Sequence, residues 1–101
     1  MKGTVDFIGV GARKAGTTWI YKQLKKNPQI FIPSLKELSY FSSKIYRKEF
    51  PIDWYFDQFK KKNLNQICGE ISVTYFELNI HQIEKIKEIN SNIKIILNIR
   101  D

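Results

Sequence analysis

An apolar run, VDFIGV at 5–10, leads without a break into GARKAGTT at 11–18 and on into TTWIYKQLKK at 17–26. A run of continuous hydrophobicity with β-branched members suits a strand buried on both faces, the situation of a parallel sheet. Glycines at 11 and 16 then supply a turn, and the following segment has helical character up to Asn27-Pro28, because proline disfavours helix in the residue before it. Strand, glycine turn and helix in this order demand a parallel neighbour and constrain the rest of the chain to alternate.

The remaining sequence does alternate. QIFI at 29–32 reads as a short second strand, and 34–50 as irregular chain with brief turns. DWYFDQFKKK at 53–62 reads as a short helix capped by Asp53, with Trp54, Tyr55, Phe56 and Phe59 forming a sticky face. QICGEIS at 66–72 is the third strand, 80–90 the third helix and KIILNI at 94–99 the fourth strand. Ile80, Ile83, Ile86 and Ile89 are expected to form one broad apolar stripe packed on the sheet. The fold class implied is α/β: a three-layer, P-loop-like parallel sheet flanked by helices, with ligands at the carboxyl ends of the strands.

The loop itself has the glycine spacing of a phosphate cradle. In the Walker pattern G-x-x-x-x-G-K-[ST], backbone N–H groups wrap a phosphate while the lysine reaches the β and γ phosphates. Gly11, Gly16 and Thr18 fit, but position 17 is threonine and the nearby lysine is Lys14, three residues early. The anion cradle at a helix start is therefore kept and the γ-phosphate clamp is lost.

DFIGVGARKAGTTWIYKQLKKNPQI resembles the 5′-phosphosulfate-binding loop of the sulfotransferases, whose signature is a lysine, a small residue and Gly-Thr-Thr. PSLKELSYF at 33–41, GEISVTYF at 69–76 and KIILNIRD at 94–101 follow in the order that family implies, with closest likeness to bacterial and carbohydrate-type members. The resemblance implies sulfuryl transfer from 3′-phosphoadenosine 5′-phosphosulfate to a hydroxyl or amine of a carbohydrate-like acceptor, with no metal required. It also implies that residues 1–101 are the N-terminal part of a single sulfotransferase domain. The family continues past the Arg-Asp at 100–101 with a proline and a helix bearing arginine and serine, so a chain ending there is expected to be truncated and inactive alone.

Roles follow from the same resemblance. Lys14 would stabilise the charge building on the bridging oxygen of the leaving group. Backbone N–H groups of Ala15, Gly16, Thr17 and Thr18, with both threonine hydroxyls, would hold the 5′-phosphate, and Arg13 either joins them or faces solvent. Trp19 has two readings, stacking on the adenine or anchoring the first helix to the sheet. Arg100 would open the 3′-phosphate site, for which a guanidinium fork is suited. Glu37, in the Lys-Glu-x-x-aromatic-Phe segment, is the candidate base, with a solvated surface glutamate as its rival. Ser39 stands where relatives often carry histidine. Relatives often read Gly-Glu-x-Ser/Thr-Pro-x-Tyr, some with lysine at the first x, so Ile71 departs from that lysine and Val73 from the proline. Glu70 reads best as a structural hydrogen-bonding group, while Ser72 and Tyr75 are possible acceptor contacts.

Composition narrows the alternatives. A net charge of +7 is spread over several lysine clusters, each of which reads first as a solvated face, though together they would draw in a multiply charged anionic donor. No nucleic-acid-binding pattern accompanies it, so nucleic acid is not an expected partner. The single cysteine excludes an internal disulfide and a multi-cysteine metal site, and Cys68 and the lone His81 read as non-catalytic. No apolar run approaches the roughly 20 residues that span a bilayer. A reducing, cytoplasmic setting is expected, with an upstream anchor on a longer precursor left open. A P-loop kinase or NTPase, and a non-catalytic nucleotide-binding fragment, are the competing functions.

Overall fold

A computed structural model of the chain describes residues 5–11, 17–34, 37–42 and 49–97. Strand β1 (Phe7–Gly9) is followed by helix α1 (Thr17–Lys26), β2 (Ile30–Phe31), α2 (Ile52–Asp57), β3 (Ile67–Ile71), a 3-10 turn (Val73–Glu77), α3 (Ile80–Ile89) and β4 (Lys94–Ile96). All strand pairs are parallel and the sheet order is β2-β3-β1-β4, so the expected α/β architecture is the one observed. The apolar run at 5–10 occupies the middle of the sheet, consistent with its hydrophobicity on both faces.

Two glycines make the central contact close. Phe7 pairs with Gly69 and Gly9 with Ile71, and a Cβ on Gly69 would stand 2.5 Å from the Phe7 ring while one on Gly9 would stand 2.8 Å from the Ile71 side chain. Each glycine thus leaves room for its neighbour's side chain, and Phe7 and Ile71 are both buried. On the other face Ile8 and Cys68 meet Tyr55 and Phe59, Ile86 of α3, and Leu38, Tyr40 and Phe41 in the principal core. Aromatic rings carry much of that packing: Phe41 lies edge-on to Tyr55 at 4.9 Å, and Tyr55 to Phe59 at 5.4 Å.

Several local expectations are corrected. Helix α2 covers Ile52–Asp57, and its N-cap is Pro51 with no side-chain cap bond; Asp53 sits inside the first turn, where its charge favours the helix dipole. Helix α3 is capped instead by a reciprocal pair, Asn79 accepting from the Gln82 N–H and Gln82 accepting from the Asn79 N–H. The isoleucine stripe of α3 is divided: Ile86 is buried, whereas Ile80 and Ile83 are 63% and 42% exposed. Steps of three residues fall about 60° short of a full turn, so Ile80 lies about half a turn away from Ile89. Strands β1, β2 and β3 are also shorter than the runs that announced them.

The connections position a site. The β1–α1–β2 crossover passes β3, and the β3–α3–β4 crossover passes β1 in the opposite direction. Right-handed connections therefore put α1 and α3 on opposite faces, and the chain diverges above the carboxyl ends of β1 and β3. Such a divergence is where open α/β sheets bind ligands.

Candidate functional site

At the carboxyl end of β1 the Val10 N–H donates to the Ile96 carbonyl at 2.9 Å, and the Ser72 N–H donates to the Gly9 carbonyl at 3.0 Å. The chain then turns at Gly11 with φ of 78°, a left-handed conformation that glycine adopts without penalty. Helix α1 begins at Thr17. Arg13, Lys14, Ala15 and Gly16 lie outside the described residues, as do Lys36, Arg100, Asp101 and the Thr17 side chain. Thr18 and Trp19 open the helix on exposed positions, and the Trp19 ring is 65% exposed. Trp19 is thus not the core anchor of α1; its ring is accessible from solvent at the helix start.

Glu37 meets the same edge from a different direction. Its Oε1 accepts the Val73 N–H at 2.9 Å, one residue beyond the Ser72 amide that is bonded to Gly9. Glu37 is exposed. The segments 37–42 and 70–75, far apart in sequence, are joined rung by rung. The Ser39 N–H donates to Ser72 Oγ at 2.9 Å, the Phe41 N–H to the Tyr75 hydroxyl at 3.4 Å, and the Ser42 and Thr74 hydroxyls lie 2.7 Å apart. Ser39 is held here at φ of 51°, a conformation that costs a non-glycine residue roughly 1–2 kcal/mol. Its bonds to Ser72, Thr74 and Ser42 offset that cost.

Beneath these rungs lies Glu70, fully buried. Its Oε2 accepts from the Tyr55 hydroxyl at 2.6 Å and the Tyr75 hydroxyl at 2.9 Å, and its Oε1 from the Ser72 hydroxyl at 2.6 Å. The Leu38 N–H is a further backbone donor. Burial pushes the Glu70 carboxyl above the ordinary carboxylate range, and the donors from Ser72, Tyr55, Tyr75 and Leu38 oppose that rise. Burial, followed by the negative charge of Glu70, raises both tyrosines well above their usual values. Glu70 is accordingly a structural hydrogen-bonding hub, and Ser72 and Tyr75, both buried, belong to it. Sequence reasoning valued each of these residues singly; the hydroxyls at two-residue and five-residue spacing from Glu70 were its only trace of a network.

The other reactive side chains lie apart from this edge or are sealed. Cys68 is buried in β3 and its thiol is pushed up to about 11, chiefly by burial, which suppresses nucleophilic reactivity. His81 is exposed on the first turn of α3. A cavity of about 300 Å³ is lined by Tyr40, Phe41, Ile52, Phe56 and Ile89 with Lys85 and Glu88, and does not include Glu37. Among the described residues no group of His, Cys, Asp and Glu is arranged to hold a metal ion, and no helix is long and apolar enough to cross a membrane.

No protein-family model matches the chain. In an alignment of 99 positions that covers 95% of its length, the chain is 34% identical to the membrane-associated sulfotransferase kil1 of Dictyostelium discoideum, of which the match covers 20%. The chain therefore spans about a fifth of that relative's length. The similarity is to a sulfotransferase, and to one described as membrane-associated.

Proposed function

We propose that this chain forms the donor-binding part of a sulfotransferase that moves a sulfuryl group from 3′-phosphoadenosine 5′-phosphosulfate to a hydroxyl or amine of a carbohydrate-like acceptor. The observation that carries the reading is the bond from the Val73 N–H, just beyond β3, to Glu37, one residue from the Ser72 amide that is bonded to Gly9 of β1, at the sheet's diverging edge. The 34% identity to a sulfotransferase supports it independently.

In-line sulfuryl transfer asks for positioning, for a cation at the leaving oxygen and for a base at the nucleophile. Lys14 is the cation in this scheme, and the N–H groups of 15–18 with Arg13 and the Thr17 and Thr18 hydroxyls cradle the 5′-phosphate. The exposed Trp19 ring suits stacking on the adenine. Arg100 takes the 3′-phosphate. Glu37, held by one oxygen, accepts the acceptor's proton on the other as the nucleophile attacks sulfur. Glu37 is carried by a neutral anchor, and the reaction needs no metal in this scheme.

Calorimetric titration with adenosine 3′,5′-bisphosphate and with ATP tests the reading. The bisphosphate is expected to bind without magnesium, and Lys14→Ala to weaken it at least tenfold. Magnesium-dependent ATP binding with no affinity for the bisphosphate would identify a P-loop kinase or NTPase instead. Absence of affinity for both would leave a non-catalytic fragment.

A further inference from the structure

We propose that Glu70 is a positioning residue for Glu37: by accepting every hydrogen bond it makes, its carboxylate turns the Ser72 and Tyr75 hydroxyls so that both receive N–H groups of the segment that carries Glu37. This inference rests on the reading of Glu37 as the base.

The segment 37–42 has no strand or helix of its own to hold it. Bonds from Ser42 to the Ser39 carbonyl close its own turn, and the N–H groups of Leu38, Ser39 and Phe41 lead to Glu70. Ser72 gives its proton to Glu70 Oε1 and uses a lone pair for the Ser39 N–H. Tyr75 gives its proton to Glu70 Oε2 and accepts the Phe41 N–H. The Leu38 N–H, adjacent to Glu37, is bonded to Glu70 directly, and Leu38 itself is buried. Tyr55 of α2 supplies the remaining donor and ties the hub to the helix beneath.

The direction of these bonds depends on residue 70 being an acceptor on both oxygens. An ionised carboxylate has no proton to give, whereas an amide presents a donor on one side. Glutamine at this position would set its NH₂ against a hydroxyl or against the Leu38 N–H. At least one hydroxyl would then turn, or one donor would be orphaned, and the segment would lose a rung. A carboxylate buried without an ion-pair partner among its contacts is costly to keep. An apolar residue of similar size would fill the space but could not impose this polarity.

The test is a double-mutant cycle in the natural full-length protein, with kcat expressed per bisphosphate-binding site so that loss of folded protein is removed. Glu37→Gln alone is expected to lower kcat about 100-fold or more, as for removal of a general base. Glu70→Gln alone is expected to lower it about 10–100-fold with the bisphosphate dissociation constant unchanged within about twofold. If Glu70 acts through Glu37, the double variant turns over no more slowly than Glu37→Gln within about threefold. Multiplying losses, or an unchanged kcat in Glu70→Gln, overturns the proposal. Should Glu70→Gln fail to fold, Ser72→Ala, which removes the rung to Ser39, enters the same cycle with an expected loss of about 3–10-fold and the same criterion. Amide exchange at Leu38 and Ser39 reads the anchoring without turnover: it should quicken in either variant, and unchanged protection counts against the device. Wild-type activity retained in Glu37→Gln would instead remove the base itself, a failure of the proposed function that the single variant reveals before the cycle is drawn.

Discussion

At residue 73 this chain carries valine where the sequences it resembles often carry proline, and the difference is a hydrogen-bond donor. The Val73 N–H is the group that holds Glu37 Oε1, and a proline has none to offer. The backbone would accept the exchange: Ser72 is extended, with φ of −133° and ψ of 109°, and Val73 opens the 3-10 turn, a position where proline fits. Val73→Pro therefore removes one bond with little other disturbance. We expect kcat to fall about 3–10-fold, as for loss of roughly 1 kcal/mol from a charge-assisted bond at an exposed site, with bisphosphate affinity unchanged. A loss appearing in bisphosphate binding and not in kcat would move this amide from the base to the donor site. The residues themselves were readable in advance; what Glu37 touches was not, because its partner is 36 positions away.

At the scale of elements, helix α3 shows how local chemistry and packing divide the work. Its start is set locally by the Asn79–Gln82 capping box, while only part of its isoleucine series reaches the core. With Ile80 and Ile83 left exposed, the helix depends more on its cap than a fully packed one would. Asn79→Ala is expected to cost about 1 kcal/mol and to lower the melting temperature without altering bisphosphate affinity; a change below about 0.2 kcal/mol would show that packing of Ile86 and Ile89 alone defines the helix. Helix α1 was legible in full, from Thr17 to Lys26, because glycine and proline punctuate both ends. Helix α2 was legible only as an aromatic-rich helix: its bounds and its cap at Pro51 do not follow from Asp53, since an acidic residue serves a first turn by charge as readily as it serves a cap by hydrogen bonding.

For the whole molecule, burial of acids predicts an asymmetric response to pH. Cys68, Tyr55 and Tyr75 all have raised folded-state values, so above their ordinary ranges the unfolded chain loses protons that the folded chain keeps. Stability must then fall as pH rises, by about 1.4 kcal/mol per pH unit for each proton retained. The first loss should begin near pH 9.0, the thiol's unshifted value, and Cys68 follows it up to about 11; the tyrosines add to it from near 10.0. Glu70 has the same sign at acid pH, its contribution declining as pH climbs through 4.5 toward its raised value. Urea midpoints read by tryptophan fluorescence should drop from pH 9 upward, and Cys68→Ala should abolish the drop below pH 10 while keeping the steeper part above it; a midpoint flat to pH 11 would contradict the burial of all three. The sequence by itself determined the alternation of strand, turn and helix and the burial of the apolar side chains in the run at 5–10, since each depends on residues adjacent in the chain. Only the tertiary structure decided that β1 lies between β3 and β4, that Glu37 is moored to Val73, and that Glu70, Ser72, Tyr55 and Tyr75 form one network. Those are pairings between distant segments, settled by which burial of side chains and which satisfaction of buried donors can be achieved together.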